Sequence, residues 1–417
     1  MRRSAPACVG ADATSASRVS QLARAGRLGA ARRRSENAMN DTLVNWAPVA
    51  QVALFGLVLA AGPLAWVWLR HRGASPTRRL HALTLLTLFL TFDLVVVGAF
   101  TRLSDSGLGC PDWPGCYGSA SPLGARDEIG AAQSALPSGP VTHGKAWVEM
   151  VHRYLATGVG VLITVMALAA WTLRGRAAAA PMPSPWWATV TLAWVIAQGA
   201  FGALTVTMKL YPAIVTLHLL GGIGLLVLLA VQDQVFAPRP LAVPHGVRAL
   251  TWVTAALVLL QIALGGWVST NYAVLACRDF PTCQGQWWPP MDFAHAFTLR
   301  RELGQTAGGA WLPFEALTAI HVTHRVAAIA VLAALALLAW RLRADAPRIA
   351  AALAALALWQ LASGLSNVVL GWPIVAALAH TAGAAGLAIV LATLLARLQA
   401  GARSTRATLP LPQVSLR

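Results

Sequence analysis

The chain has 417 residues, of which 57% are apolar and only 11% charged, a balance too lopsided for a water-soluble globular protein of that length. Its net charge of +17 does not indicate nucleic acid, because the basic residues sit almost wholly in the N-terminal arm and in short connections between apolar runs. What remains is a polytopic helical membrane protein.

Residues 1–38 are rich in Arg, Ala and Ser and nearly free of acids. That composition fits a mitochondrial presequence, or sequence upstream of the true start. The second reading is preferred, because Met39-Asn40-Asp41 offers an ordinary start just before the first span. Residues 1–45 are then expected to be a basic, disordered arm.

Apolar spans are predicted at 46–69, 80–101, 148–173, 186–207, 213–236, 248–270, 316–340, 348–371 and 375–397. Each is close to the ~20 residues that a bilayer core requires. An odd number of spans places the termini on opposite sides. The Arg-rich connections 70–79, 174–185, 237–247 and 341–348 and the tail 401–417 then fall on one side, the cytoplasmic one. The long loops 102–147 and 271–315 fall outside. The eight arginines before residue 35 would also lie outside, against the same rule, which is a second reason to start the mature chain at Met39.

Apart from span 46–69, the spans divide into two sets of four that repeat each other. Gly98-Ala-Phe-Thr-Arg-Leu-Ser and the Cys110…Cys116 loop match Gly265-Gly-Trp-Val-Ser-Thr-Asn and the Cys277…Cys283 loop. Gln198…Gly202 matches Gln360…Gly364, His152-Arg153 matches His324-Arg325, and His218 matches His380. The offsets are 167, 162, 172 and 162 residues. An even number of spans per unit makes the repeats parallel, related by an axis along the membrane normal. The fold class expected is all-α: two pseudo-symmetric parallel four-helix bundles, 80–247 and 248–400, preceded by an extra span and its cytoplasmic loop at 46–79.

His152, His218, His324 and His380 each lie within the first turn or two of a span that enters from outside, so all four sit at one depth. Facing helices of a bundle build cofactor sites from inward side chains, and two imidazoles across a bundle core make a bis-histidine haem site. Polar groups are costly in a membrane, and four at repeated positions favour ligands over isolated interface histidines. Two haem sites near the outer surface follow, with Arg153 and Arg325 beside the ligands as partners for haem propionates. A carboxylate-bridged metal centre is a weaker alternative to haem, since Glu149 and His152 stand almost alone among the few acids of the spans.

The halves differ at one informative position, where Glu149 in the first is answered by His321 in the second. A carboxylate one turn from a haem ligand can take a proton or stabilise positive charge at the haem edge. Its blander reading is a partner for Arg153 or a helix-start carboxylate. His321 reads as a surface residue of the helix mouth. Asp93, mid-span, reads as a proton-path residue or a partner of Arg102 or Arg78. The Cys-x5-Cys pairs, Cys110/Cys116 and Cys277/Cys283, lie in loops facing an oxidising compartment, where short spacers permit disulfides that staple the loops over the haem mouths. Cys8 is alone.

The Gly98–Cys116 stretch, Glu149-x-x-His152-Arg153, Leu217-His218, His324-Arg325 and Ala379-His380 together resemble the haem A synthase family over roughly residues 80–397. The resemblance implies oxidation of the C8 methyl of haem O to the formyl group of haem A, by two successive hydroxylations and loss of water. It also implies haem b held by His324 and His380, substrate haem held by His152 and His218, and Glu149 as the essential carboxylate. Span 46–69 departs from the family's eight-helix pattern. Expected partners are a haem O synthase delivering substrate, cytochrome c oxidase assembly, membrane lipid and, as an open option, a second copy of the chain. The expected location is a bacterial inner membrane with periplasmic cysteine loops, the mitochondrial inner membrane being the alternative. A di-haem, quinol-linked electron carrier gives no role to Glu149, and a parallel-repeat transporter gives none to haem; both are weaker readings.

Overall fold

The computed structural model describes residues 46–174 and 183–407, and its extended elements are all helices. Nine helices among the described residues are long and apolar enough to cross a bilayer. They are α1 (Ala47–Arg70), α2 (Pro76–Leu103), α4 (His143–Leu173), α5 (Trp186–Thr207), α6 (Pro212–Phe236), α7 (His245–Thr270), α9 (Phe314–Leu342), α10 (Pro347–Val369) and α11 (Ile374–Ala407). The short helices α3 (Arg126–Ala135) and α8 (Phe293–Ala296), with a 3₁₀ turn at Ala273–Ala276, lie in the two long connections. The chain is thus an all-helical, multi-pass membrane protein. Met39, Cys8 and the arginines of the arm lie outside the described residues, as do 175–182 and the end of the C-terminal tail.

The expected spans are recovered, but several helices begin earlier than hydropathy alone indicates. The Ser75 hydroxyl accepts from the Arg78 N–H at 3.3 Å, and Pro76 follows at the first helical position. Likewise the Thr142 hydroxyl accepts from the Lys145 N–H at 3.3 Å, so α4 opens at His143 on a polar first turn. This corrects the depth of the histidines. Counting from His143 to His152 and from Phe314 to His324, both lie between two and three turns inside their helices. Counted from Pro212 and Ile374, His218 and His380 lie just under two turns in.

Helix α2 packs on α4 and α6, and α5 bridges α4 and α6; in the second half α7 packs on α9 and α11, and α10 bridges α9 and α11. The histidine-bearing helices of each half are therefore diagonal neighbours, and the helices between them carry the matched glycines. The halves meet where α11 lies against α6 and α2, and α6 against α7. A second tie sits at the outer rim, where the Arg102 guanidinium donates to Ser269 O at 2.6 Å and lies over the Tyr272 ring, whose hydroxyl reaches Asp105 at 2.5 Å.

Lipid is as apolar as Leu, so close packing and satisfied polar groups hold these helices together. Buried threonines illustrate the second requirement. Thr84 and Thr87 on α2, and their counterparts Thr251 and Thr254 on α7, each donate to the carbonyl four residues back at 2.8–3.0 Å. Small residues supply the first. The extra helix α1 seats on α4 where a Cβ on Gly56 would stand 3.0 Å from the Thr157 backbone, and one on Gly158 would stand 3.4 Å from Leu59 Cβ. Most of the remaining α1 surface is exposed apolar side chain, including Leu54, Leu57 and Val58.

Replacing Gly56 with Val should unseat α1 at a cost of about 1–3 kcal/mol, the usual range for overpacking. A lowered melting temperature in detergent checks this, with Leu54→Val, at an exposed position of the same helix, as the control that should change little.

Candidate functional site

Each of the four histidine rings rests its Cε1 edge against a glycine on a neighbouring helix. A Cβ built on Gly98 would lie 2.9 Å from His152 Cε1, and on Gly202 3.4 Å from His218 Cε1. On Gly265 it would lie 3.0 Å from His324 Cε1, and on Gly364 3.2 Å from His380 Cε1. All four rings turn Cε1 to a glycine, a contact that a side chain larger than hydrogen would disturb. The His324 and His380 rings stand 6.5 Å apart, centroid to centroid, at 76° to each other.

These dimensions suit a metal held between two imidazoles. Metal–imidazole bonds of about 2 Å each leave, within 6.5 Å, room for little more than the two ring radii. Among the described residues, no three His, Cys, Asp or Glu side chains converge as a metal cage would need. Each pair offers two protein ligands, and a macrocycle with its own nitrogens completes such a site. The donor set and its glycine cradles fit haem.

Around the first pair, Glu149 is almost fully buried. Its Oε2 accepts from the Cys110 N–H at 2.8 Å and its Oε1 from Arg153 Nη2 at 2.5 Å. Arg153 Nη1 donates to the carbonyls of Asp112, Pro114 and Gly115 at 2.9, 3.2 and 2.5 Å. Arg153 thus grips the first cysteine loop from inside, and Glu149 joins that loop to the helix bearing His152. Both disulfides form within their own loops, Cys110–Cys116 and Cys277–Cys283.

The second half repeats the grip with a different acceptor. Arg325 donates from Nη1 to Asp279 O and Thr282 O and from Nη2 to Cys277 O, all at 3.0 Å. Its Nε–H donates to His321 Nε2 at 3.2 Å. His321 is only 3% exposed, so the surface reading given above is corrected: it is the buried counterpart of Glu149, one helical turn before the same arginine. Where propionate contacts were expected, Arg153 and Arg325 turn these donors to the loops. Asp93 is exposed on α2, and Arg102 pairs instead with Asp105 at 3.3 Å.

Each loop ends in the same tight turn. Tyr117-Gly118 and Gln284-Gly285 have positive φ at both central positions, as a type I′ turn requires. An aspartate closes each from below: Asp112 accepts from Tyr117 N and Gly118 N, and Asp279 from Gln284 N and Gly285 N, at 2.6–3.0 Å.

Sequence reasoning passed over two polar residues near the second pair. Gln261 Nε2 lies 3.1 Å from His324 Nδ1, and Ser363 Oγ lies 3.0 Å from His380 Nδ1. The signal was present in the repeat itself. Both residues sit within four positions of a matched glycine, and their counterparts by register, Leu94 and Phe201, are apolar.

Fold and site together define a polytopic helical membrane protein with two diagonal imidazole pairs under disulfide-closed loops. The sequence pattern of the cytochrome oxidase assembly protein family matches residues 81–393. The chain is 38% identical over 315 residues to a heme A synthase of Shewanella oneidensis, covering 74% of this chain and 93% of that protein. It is 29% identical over 367 residues to one of Methylobacterium sp. (strain 4-46), covering 77% and 92%, and 28% identical over 356 residues to one of Rhizorhabdus wittichii, covering 78% and 95%. The chain belongs to the cytochrome oxidase assembly protein family.

The Asp279 carboxyl is held down to about 2, first by the Thr282 hydroxyl and then by the Gly285 and Gln284 N–H groups, from an ordinary value of 3.8. A depressed folded-state value stabilises the turn above the ordinary value and loses that contribution as pH falls through the depressed one. Protection of the Gln284 and Gly285 amides against hydrogen exchange should therefore be full above pH 4 and fade toward pH 2. Asp279→Ala should remove it at every pH, with exchange on the order of tenfold faster.

Proposed function

We infer that this chain is a haem A synthase, which converts the C8 methyl of haem O to the formyl group of haem A by two successive hydroxylations and loss of water. The observation that carries the reading is the asymmetry of two otherwise repeated sites. Both halves present an imidazole pair on glycine cradles, and only the first has a buried carboxylate, Glu149, one turn before its ligand. Family membership and relatives named heme A synthase support it.

In this reading the half spanning 80–247 takes the substrate haem between His152 and His218. The half spanning 248–400 holds haem b between His324 and His380. Haem b, when bound, supplies one-electron transfer. The two electrons that each hydroxylation removes would leave singly to an external one-electron acceptor, and Glu149 would accept the proton released as water adds to the methyl carbon. A carboxylate offers about four lone-pair positions, and the Cys110 N–H and Arg153 fix it while leaving others for water. Arg153, paired with it one helical turn on, holds the carboxylate in place. The cysteine loops close the outer ends of both sites and exclude bulk water. The Arg-rich connections and the bacterial relatives support an inner-membrane location with these loops in the periplasm. Haem O synthase is the expected source of substrate.

Pigment analysis by mass spectrometry tests the reading directly: the purified protein should carry haem A or its hydroxylated precursor beside haem b. Glu149→Gln should keep the haem b held by His324 and His380, which serves as the folding control. It should accumulate haem O or the hydroxylated intermediate, with turnover lower by about 10²–10⁴-fold, the span of a general-base contribution. Haem A made at the wild-type rate would remove Glu149 from the chemistry.

Replacing His324 or His380 with Ala or Met should abolish the low-spin haem b spectrum, since neither substitute provides the bis-imidazole field. An unchanged spectrum in both single variants would show that the ligands are elsewhere.

A further inference from the structure

The two imidazole pairs differ in what stands behind them. In the second half, Ser363 gives its own hydrogen to Trp359 O at 2.6 Å, so its oxygen is left to accept from His380 Nδ1 at 3.0 Å. Gln261 lies 3.1 Å from His324 Nδ1, and its Oε1 is buried without a partner. Its NH₂ donates to His324 O at 3.0 Å, so it offers Nδ1 no acceptor, and the partner behind this pair is Ser363. In the first half the register places Leu94 where Gln261 stands and Phe201 where Ser363 stands. Nδ1 of His152 and Nδ1 of His218 are accordingly both buried and unpartnered.

A hydrogen bond accepted from Nδ1–H fixes the tautomer that leaves Nε2 free for a metal, locks the ring and makes Nε2 a stronger donor. Losing such a partner typically weakens metal binding about 10–100-fold. An imidazole with nothing behind it turns more freely and releases its ligand sooner. An enzyme that keeps one haem and passes on another needs both kinds of site.

We propose that Ser363 makes the second pair a permanent haem site, and that Phe201 in its place makes the first a site of exchange. The proposal rests on the reading of both pairs as haem sites. It makes Ser363 a positioning residue that acts through His380. It also predicts which half gives up its haem without reference to Glu149.

The test uses the full chain purified with its haems, with apomyoglobin in excess as the haem acceptor and optical spectra resolving the two populations. In the wild type, haem of the first half should leave about 10-fold or more faster than haem of the second. Ser363→Ala should speed loss from the second half about 10-fold or more and raise its midpoint potential, while its low-spin spectrum persists. A change in packing alone would not shift the potential in a fixed direction. Ser363→Thr, which keeps the hydroxyl, should restore both values. The reciprocal Phe201→Ser should slow release from the first half, and this arm stands even if the second-half variants fold poorly. Equal release from both halves, or a Ser363→Ala protein with wild-type release and potential, overturns this inference and leaves the haem reading intact. A purified chain that binds no haem overturns both.

Discussion

An imidazole inside a lipid-embedded bundle has to be closely packed, because both unfilled space and an unsupported polar ring cost stability. The contact of each histidine Cε1 with a glycine on the adjacent helix meets that need four times. Helix separation, ring orientation and the diagonal placement of the ligands all follow from it. A methyl group at Gly98 or Gly265 would force ring or helix to shift, and the facing histidine would no longer be aligned. The repeat therefore preserves small residues and histidines together while letting the lipid-facing residues between them drift.

The second constraint is how the outer loops are held. An arginine inside a helix end needs several acceptors, and the carbonyls of a disulfide-closed loop supply them. The disulfide keeps those carbonyls turned inward, and the arginine holds the loop against the helix that carries the histidine. Site and lid are thus one unit, with Glu149 or His321 as the last acceptor on the same helix face.

Much of this was legible in the sequence. Nine apolar runs, the two cysteine loops, the fourfold histidine pattern and the odd position at Glu149 are all one-dimensional signals, set by span length, short spacers and a constant repeat offset. Helix starts were less legible, because capping by Ser75 and Thr142 extends α2 and α4 into polar sequence that hydropathy leaves out. The role of His321 was misread because a polar residue near an apolar run resembles a surface residue until its arginine is seen to fold inward. The direction of Arg153 and Arg325 was hidden for the same reason, since an adjacent number says nothing about which way a guanidinium points. Gln261 and Ser363 were invisible because a partner for a ring nitrogen is a relation between helices, separated here by 63 and 17 residues.

Glu149 and His321 occupy the same slot before the same arginine, and either accepts its N–H. After a duplication, that slot could change from one residue to the other without unhooking the lid above it. The scaffold would stay folded while one copy acquired acid–base chemistry and the other gave it up. An interchangeable anchor of this kind lets twin modules specialise without first becoming unstable.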